Sequence, residues 1–387
     1  DHTVLVVDGR IQSVGPSASV AVPDGATRID GRGQWLMPGL AEMHAHIPPG
    51  NASIADMERM LELNLLNGIT VVRGMLGDPR HLTLRDRAAR GELASPHILT
   101  SGPSFNGNSA PTPEAAAKMV ADQKAAGYDL LKVHPGVPRA AFDALADAAV
   151  KAGLRFSGHV PLDVGLARAL EARFETIDHV DGYVEAMVRD EAPVKATASQ
   201  WFGVNLIDHV DESRVPALVE KTRAAGTWIV PTQTLFESTV GPLSPAELAA
   251  WPEMKWVSAA QVAQWTGWKE KFVAAGTTTP ASRTKFLDLR RRLIKALHDG
   301  GVGMLLGADA PQMWNVPGFA THRELQAMVA AGLTPYQALS MGTRNVAQFM
   351  GALAERGTIE PGKRADLVLL SGNPLQDIAS TTRITGV

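Results

Sequence analysis

Leu36-Met-Pro-Gly-Leu-Ala-Glu-Met-His-Ala-His-Ile47 is an apolar run that ends in two histidines separated by one alanine. Side chains on a strand alternate faces, so His44 and His46 point the same way, about 7 Å apart along the chain. Such a pair can hold one metal ion. The spacing alone serves a metal site and a chance pair of strand histidines equally, so the rest of the chain must decide.

On the N-terminal side, residues 3 to 35 hold short apolar strands, Val4 to Val7, Ile11 to Val14 and Ala26 to Ile29, separated by Gly, Pro and Asp turn signals. From Leu36 onward the texture changes to strands alternating with Ala-rich helical segments, the pattern of βα units on a parallel sheet. The strand candidates are Leu36 to Ile47, Ile69 to Met75, His97 to Gly102, Tyr128 to His134, Arg155 to Val160, Phe174 to His179, Thr227 to Thr232 and Val302 to Asp309. Eight is the number that closes a (β/α)8 barrel. Helices are expected at Ile54 to Leu66, Pro113 to Ala126, Arg139 to Ala152 and Gly165 to Ala172.

The gaps before the seventh and eighth strands are too long for one crossover helix, so helical insertions are expected at about 184–226 and 236–300. In the second, Trp251, Trp256, Trp265 and Trp268 sit at helical spacing, which suits core packing better than a ligand wall. Two helices, Thr321 to Ala331 and Pro335 to Met350, follow the eighth strand. Gly357-Thr-Ile-Glu-Pro-Gly-Lys-Arg-Ala-Asp-Leu-Val-Leu-Leu370 then returns to β texture. The expected class is therefore α/β: a TIM-like (β/α)8 barrel over 36–356 and a small β-sandwich module built from both chain ends, 1–35 and 357–387.

A chain of 387 residues exceeds the usual single core of about 250 to 300 residues, which fits a barrel plus a smaller module. Forty acidic residues against 37 basic ones give a net charge of -3 without a basic block, arguing against a nucleic-acid or membrane partner. No apolar run reaches the roughly 18 residues of a spanning helix, so the chain reads as soluble. Cysteine is absent, which excludes disulfides, thiolate nucleophiles and Cys-ligated zinc. Any metal must sit on nitrogen and oxygen. The chain opens at Asp1 already inside a strand pattern, so a preceding segment removed by processing is an open expectation, and the compartment stays open between cytoplasmic and exported.

The strand ends carry the chemistry. The first ends in His44 and His46, the fourth carries Lys132, the fifth ends in His159, the sixth in His179 and the eighth in Asp309. C-terminal strand ends are where barrel active sites are built, so these six converge on one mouth.

The run Pro38-Gly-Leu-Ala-Glu-Met-His-Ala-His, the Gly158-His-Val and Ile177-Asp-His pairs, Gly307-Ala-Asp-Ala-Pro and the Gly357 to Val368 segment resemble the amidohydrolase superfamily. They are most similar to its imidazolonepropionase-like and Xaa-Pro dipeptidase (prolidase-like) branch. The resemblance implies two divalent metal ions, zinc first. His44, His46 and Asp309 would bind the more buried ion, His159 and His179 the other, and Lys132, carboxylated by CO2 to a carbamate, would bridge them. It also implies that a water shared by the ions attacks the scissile carbonyl, with Asp309 as the proton carrier. Relatives are commonly homo-oligomers, some of them octamers.

His134 follows Lys132 at strand period two and is expected to overhang the site, donating to an oxyanion or a substrate carboxylate. Tyr183, four residues past His179, is a second candidate for carbonyl or carboxylate binding. Arg73 and Arg139 suit structural ion pairs, and His322 a helix-start role. Trp314 and the loop from Pro311 to Gly318 should wall the pocket and favour hydrophobic or aromatic groups. The expected activity is hydrolysis of an amide or peptide-like C–N bond, releasing an amino acid from an N-acyl amino acid, an Xaa-Pro dipeptide or an ochratoxin-type amide. Alternatives are a cyclic-amide hydrolase like imidazolonepropionase, a lactonase or phosphotriesterase, and a noncatalytic barrel that only binds.

Overall fold

The computed structural model describes residues 2–387. The described residues form twelve strands: β1 (His2–Val7), β2 (Arg10–Pro16), β3 (Trp35–Pro38), β4 (Leu40–Ala45), β5 (Ile69–Gly74), β6 (His97–Thr100), β7 (Leu131–Val133), β8 (Phe156–Gly158), β9 (Thr176–Asp178), β10 (Trp228–Val230), β11 (Leu367–Leu370) and β12 (Ile384–Gly386). Two parallel sheets, in the orders β4-β5-β6 and β7-β8-β9-β10, form the centre. Single parallel bridges, Ser101 to Leu130 and Phe105 to Val133, join the edge beyond β6 to β7. The segment from Met304 to Ala310 bridges Ile229 on one side and Ala45 on the other.

That last segment corresponds to the strand expected over Val302 to Asp309, and it is a set of isolated bridges rather than a ladder. Gly303 passes against the Trp228 ring and Gly307 against His44 and Val230, where any side chain would collide. Close backbone approach replaces regular pairing there.

The opening run is likewise two strands rather than one. A Cβ at Gly39 would strike Thr70, so only glycine lets the chain turn at that point. On one side β3 pairs antiparallel with β11, and on the other β4 starts the parallel sheet beside β5. The C-terminal tail thus lies on the strand that leads into β4, with β11 between β3 and β12. The β1-β2 hairpin is tied to the same tail by Ile11 N–H to Lys363 O and Gly362 N–H to Ile11 O, each 2.8 Å. Ala26 to Ile29 is not a strand: Ile29 is 81% exposed, with no buried face to align.

The connecting helices follow their caps. For α1 (Ile54–Leu66), Ser53 and Asp56 form a reciprocal capping box, while Met57, Met60, Leu61 and Leu63 are buried. Beyond α2 (Pro79–Ala89), α3 (Pro113–Ala126) starts at Pro113 after the Thr112 cap and stops at Gly127, whose φ of 84° ends the helix. After α4 (Arg139–Ala152), α5 (Gly165–Glu171) completes the series between β4 and β9. Burial of such apolar side chains contributes roughly 1.5 to 3 kcal/mol each.

The two long gaps hold helices. The first contains short turns and the helix Val215–Ala225, and the second runs through helices Gln233–Thr239, Pro245–Ala249, Ala259–Ala274 and Pro280–Asp299. The helix expected over Pro335 to Met350 is broken at Gly342-Thr343, because Gly342 packs against Leu306 and its carbonyl accepts from Ala41 N–H. No helix among the described residues is long and apolar enough to cross a membrane.

Candidate metal centre

His44 is the last inward-pointing residue of β4 and is buried, while His46 follows one residue past the strand end and is half-buried. Asp309 lies beside both. Its Oδ1 is 2.6 Å from His46 Nε2 and 3.5 Å from His44 Nε2, and its Oδ2 is 3.8 Å from His179 Nδ1. Asp309 and His179 sit at φ of 64° and 66°, so each strand end kinks where its donor turns inward. One ligand atom from each of His44, His179 and Asp309 lies within 4.8 Å of the others.

Electrostatics prepare these groups as ligands. Burial, helped by the Lys132 charge, lowers the His44 pKa to about 4, and burial with the neighbouring His159 holds His179 well below the usual range. Both rings are therefore neutral with lone pairs free. Burial alone would raise the Asp309 pKa, but His44, His46 and His179 outweigh it and keep the carboxylate ionised. His179 Nδ1 is 2.8 Å from Thr232 Oγ1, whereas its Nε2 is buried without a hydrogen-bond partner. An orphaned nitrogen beside a second neutral imidazole and an ionised carboxylate fits a divalent cation.

Lys132 is fully buried on β7. Its Nζ donates to Asp178 Oδ2 at 3.0 Å and stands 3.4 Å from His44 Nε2. Burial lowers its pKa, and Asp178 pulls it partly back. Asp178 is the hub here: it also accepts from Thr176 Oγ1 at 3.0 Å and lies 3.5 Å from Arg73 Nη2. Burial opposes its ionisation, yet Lys132, His44 and Arg73 hold its pKa well below the carboxylate range. Sequence reasoning missed Asp178, although it stands in the Ile177-Asp-His stretch at strand period two from Thr176. It also missed Arg290, a buried arginine on helix Pro280–Asp299. Arg290 donates to His179 O at 2.6 Å and Pro231 O at 2.9 Å, bracing the ends of β9 and β10.

His159 follows β8, and its Nδ1 is 3.3 Å from Asp181 Oδ2. Its ring lies 4.5 Å from that of His179 and 5.1 Å from that of His134. His134 and His159 both line a cavity of about 710 Å³ that opens over His44, His46, His179 and Asp309, a volume suited to a small organic ligand. Burial, reinforced by Lys132, holds the His134 imidazole neutral.

Tyr183 is elsewhere. It is wholly buried, its hydroxyl lies 2.6 Å from Thr222 Oγ1, and it does not line the cavity. The left-handed residues Val180 and Gly182 turn the chain after His179 and carry Tyr183 into the core. Arg73 donates to Met43 O, Arg139 pairs with Asp143, and His322 lies between Asn67 O and Thr381, so all three are structural.

The wall also departs from expectation. Pro311, Gln312, Asn315, Val316 and Pro317 line the cavity, but Trp314 is buried behind them against Trp265. Trp256 and Trp265 reach the cavity, so the second insertion supplies wall as well as core. Trp201 and Phe202, from the first insertion, complete it. The Phe202 ring stacks on His159 at 5.7 Å and stands 5.2 Å from that of His179. Two adjacent aromatics in a nonperiodic loop gave no signal beyond their composition.

Curated relatives of this chain include imidazolonepropionases. The one from Pseudomonas aeruginosa (strain UCBPP-PA14) is 26% identical over 385 residues, covering 95% of this chain and 87% of the relative. Among solved structures, one described as a prolidase from Bifidobacterium longum is 25% identical with a TM-score of 0.70, covering 98% of this chain and 85% of that one. A Xaa-Pro dipeptidase with bound methionine in its active site shares the fold at 19% identity and a TM-score of 0.67, covering 99% and 92%. Residues 35–387 match the amidohydrolase family, and the chain belongs to it.

Proposed function

We propose that this amidohydrolase-family hydrolase cleaves the amide bond of an N-acyl amino acid, an Xaa-Pro dipeptide or an ochratoxin-type amide. The observation that carries the reading is the buried set His44, His179 and Asp309 under a cavity walled by Trp201, Phe202, Trp256 and Trp265. The architecture we infer is a (β/α)8 barrel over 36–356, its two parallel sheets joined through the edge bridges, with a β-sandwich module from both chain ends.

His44, His46, His159, His179 and Asp309 would hold two divalent ions, zinc by donor type, and Lys132 as a carbamate would join them. Burial favours the neutral amine that CO2 requires, which supports this modification. When bound, the ions would supply Lewis acidity at neutral pH. The chain's own groups do the rest. Asp309, held ionised, accepts the proton of the attacking water and returns it to the leaving nitrogen as the C–N bond breaks, giving a carboxylic acid and an amine. His134, held neutral, donates an N–H to the carbonyl oxygen as charge develops there. The aromatic wall packs against the acyl group and excludes water.

Cyclic-amide hydrolysis is the second reading, favoured by the imidazolonepropionase relatives. A zinc-supplemented panel of N-acyl amino acids, Xaa-Pro dipeptides, ochratoxin A and imidazolone propionate separates the two. Release of a free amino acid is expected. Ring opening without fragment release supports the second reading, and no turnover of any member of the panel contradicts both.

A further inference from the structure

The cavity has one lysine or arginine among its described lining residues, Arg59. It stands on α1, the helix that follows β4 and the two histidines at its end, and Met60 and Leu63 of the same helix also line the cavity. The helix is a rigid mount: its N-terminus is closed by the Ser53 and Asp56 capping box, and its inner face is packed.

The Arg59 guanidinium is uncommitted. Its nearest acid is Asp56, whose Oδ1 is 3.6 Å from Nη1, and it makes no side-chain hydrogen bond among the described residues. The other Asp56 oxygen is engaged by Ser53 N–H and Oγ–H. An exposed pair of this kind contributes little and yields to a better anion. Several polar groups of the lining are engaged: Ser258 Oγ accepts from Gln261 N–H, the Gln261 amide donates to Gln264, and the Asn315 amide donates to Ala308 O, while the Gln312 amide is a further donor that carries no charge.

Asp56 beside Arg59 and Asp309 among the donors are the carboxylates of the lining, and a weakly paired guanidinium fork facing aromatic and imidazole groups matches a substrate with an apolar body and one carboxylate. We propose that Arg59 binds the free α-carboxylate of the amino-acid part of the substrate. The enzyme is then carboxypeptidase-like: it requires that carboxylate and discriminates against the same compound with the carboxylate blocked. This assignment rests on the amide-hydrolase reading above and deepens it.

The test follows benzoate release from N-benzoyl-phenylalanine and from its carboxamide by the zinc-loaded enzyme. The wild-type protein is expected to favour the free acid at least about 10-fold in kcat/KM. Arg59→Ala should lower kcat/KM for the acid by about 10- to 50-fold, chiefly through KM, and affect the carboxamide far less. Arg59→Lys should restore part of the loss, since it keeps the charge without the fork. Equal use of both compounds by the wild-type enzyme, or an equal loss on both in Arg59→Ala, overturns the carboxylate role alone. No benzoate from either compound overturns this assignment, and the amide-hydrolase reading falls with it only if the Xaa-Pro dipeptides and ochratoxin A also go uncleaved.

Discussion

The donor-bearing strand ends and the aromatic wall meet in one cavity but are held there by different forces. His44, Lys132 and Asp178 are buried and joined by polar contacts of 3.0 Å, and His179 and Asp309 are buried beside them, with Arg290 bracing the backbone of His179. The wall is ring against ring. Phe202 rests on His159 and Phe236, Trp201 on Trp268, and Trp256 is 50% exposed. Trp201 and Phe202 also sit at φ of 41° and 59°, outside any ladder. In the proposed function the first region would carry the chemistry and the second would shape what enters.

The largest effect should come from Asp309→Asn. The side chain keeps its size, but it can no longer carry the proton, so kcat should fall about 10²- to 10⁴-fold with the circular dichroism spectrum unchanged. Near-wild-type turnover would remove Asp309 from the proton path. A smaller effect is expected on the other side of the comparison. Phe202→Ala deletes an aromatic contact surface, so KM for aromatic acyl substrates should rise about 3- to 10-fold while kcat changes less. A loss confined to kcat would mean that Phe202 acts by positioning His159 and His179 instead.

These two regions also differ in how much of them could be read from the chain. The placement of His44, His46, Lys132, His159, His179 and Asp309 at or near strand ends was legible from the alternation of strands and helices, whereas their proposed roles as ligands came from the family resemblance. Their partners were less legible. Asp178 is a common residue in an apolar strand, and Arg290 acts from a helix 111 positions beyond His179 and 59 beyond Pro231, whose carbonyls it braces. The wall depends on how two insertions fold back. Trp256 and Trp265 therefore passed for core, Trp314 for wall and Tyr183 for a carbonyl- or carboxylate-binding group at the mouth. Of the fold, the strand series was legible, but the break at Gly39 and the loss of a ladder over Met304–Ala310 come from close backbone contacts that no local pattern encodes.

His322 lies in neither region and provides the control. Buried between Asn67 O and Thr381, it has its pKa lowered from 6.5 to about 4 by burial. The unfolded chain therefore takes up this proton first as pH falls. The stability His322 contributes is complete above pH 6.5 and is lost progressively towards pH 4, by about 3 kcal/mol. Denaturant melts across that range should show a shallower slope for His322→Gln, with activity near neutral pH little changed. An identical slope would assign the acid sensitivity to other groups.

The central claim is that the strand ends together bind divalent cations. Zinc bound per chain after dialysis, measured by inductively coupled plasma mass spectrometry, tests it most directly. Two equivalents are expected in the wild-type protein and no more than one in His179→Ala. Less than one equivalent in the wild type, or the same content in both proteins, would contradict the claim.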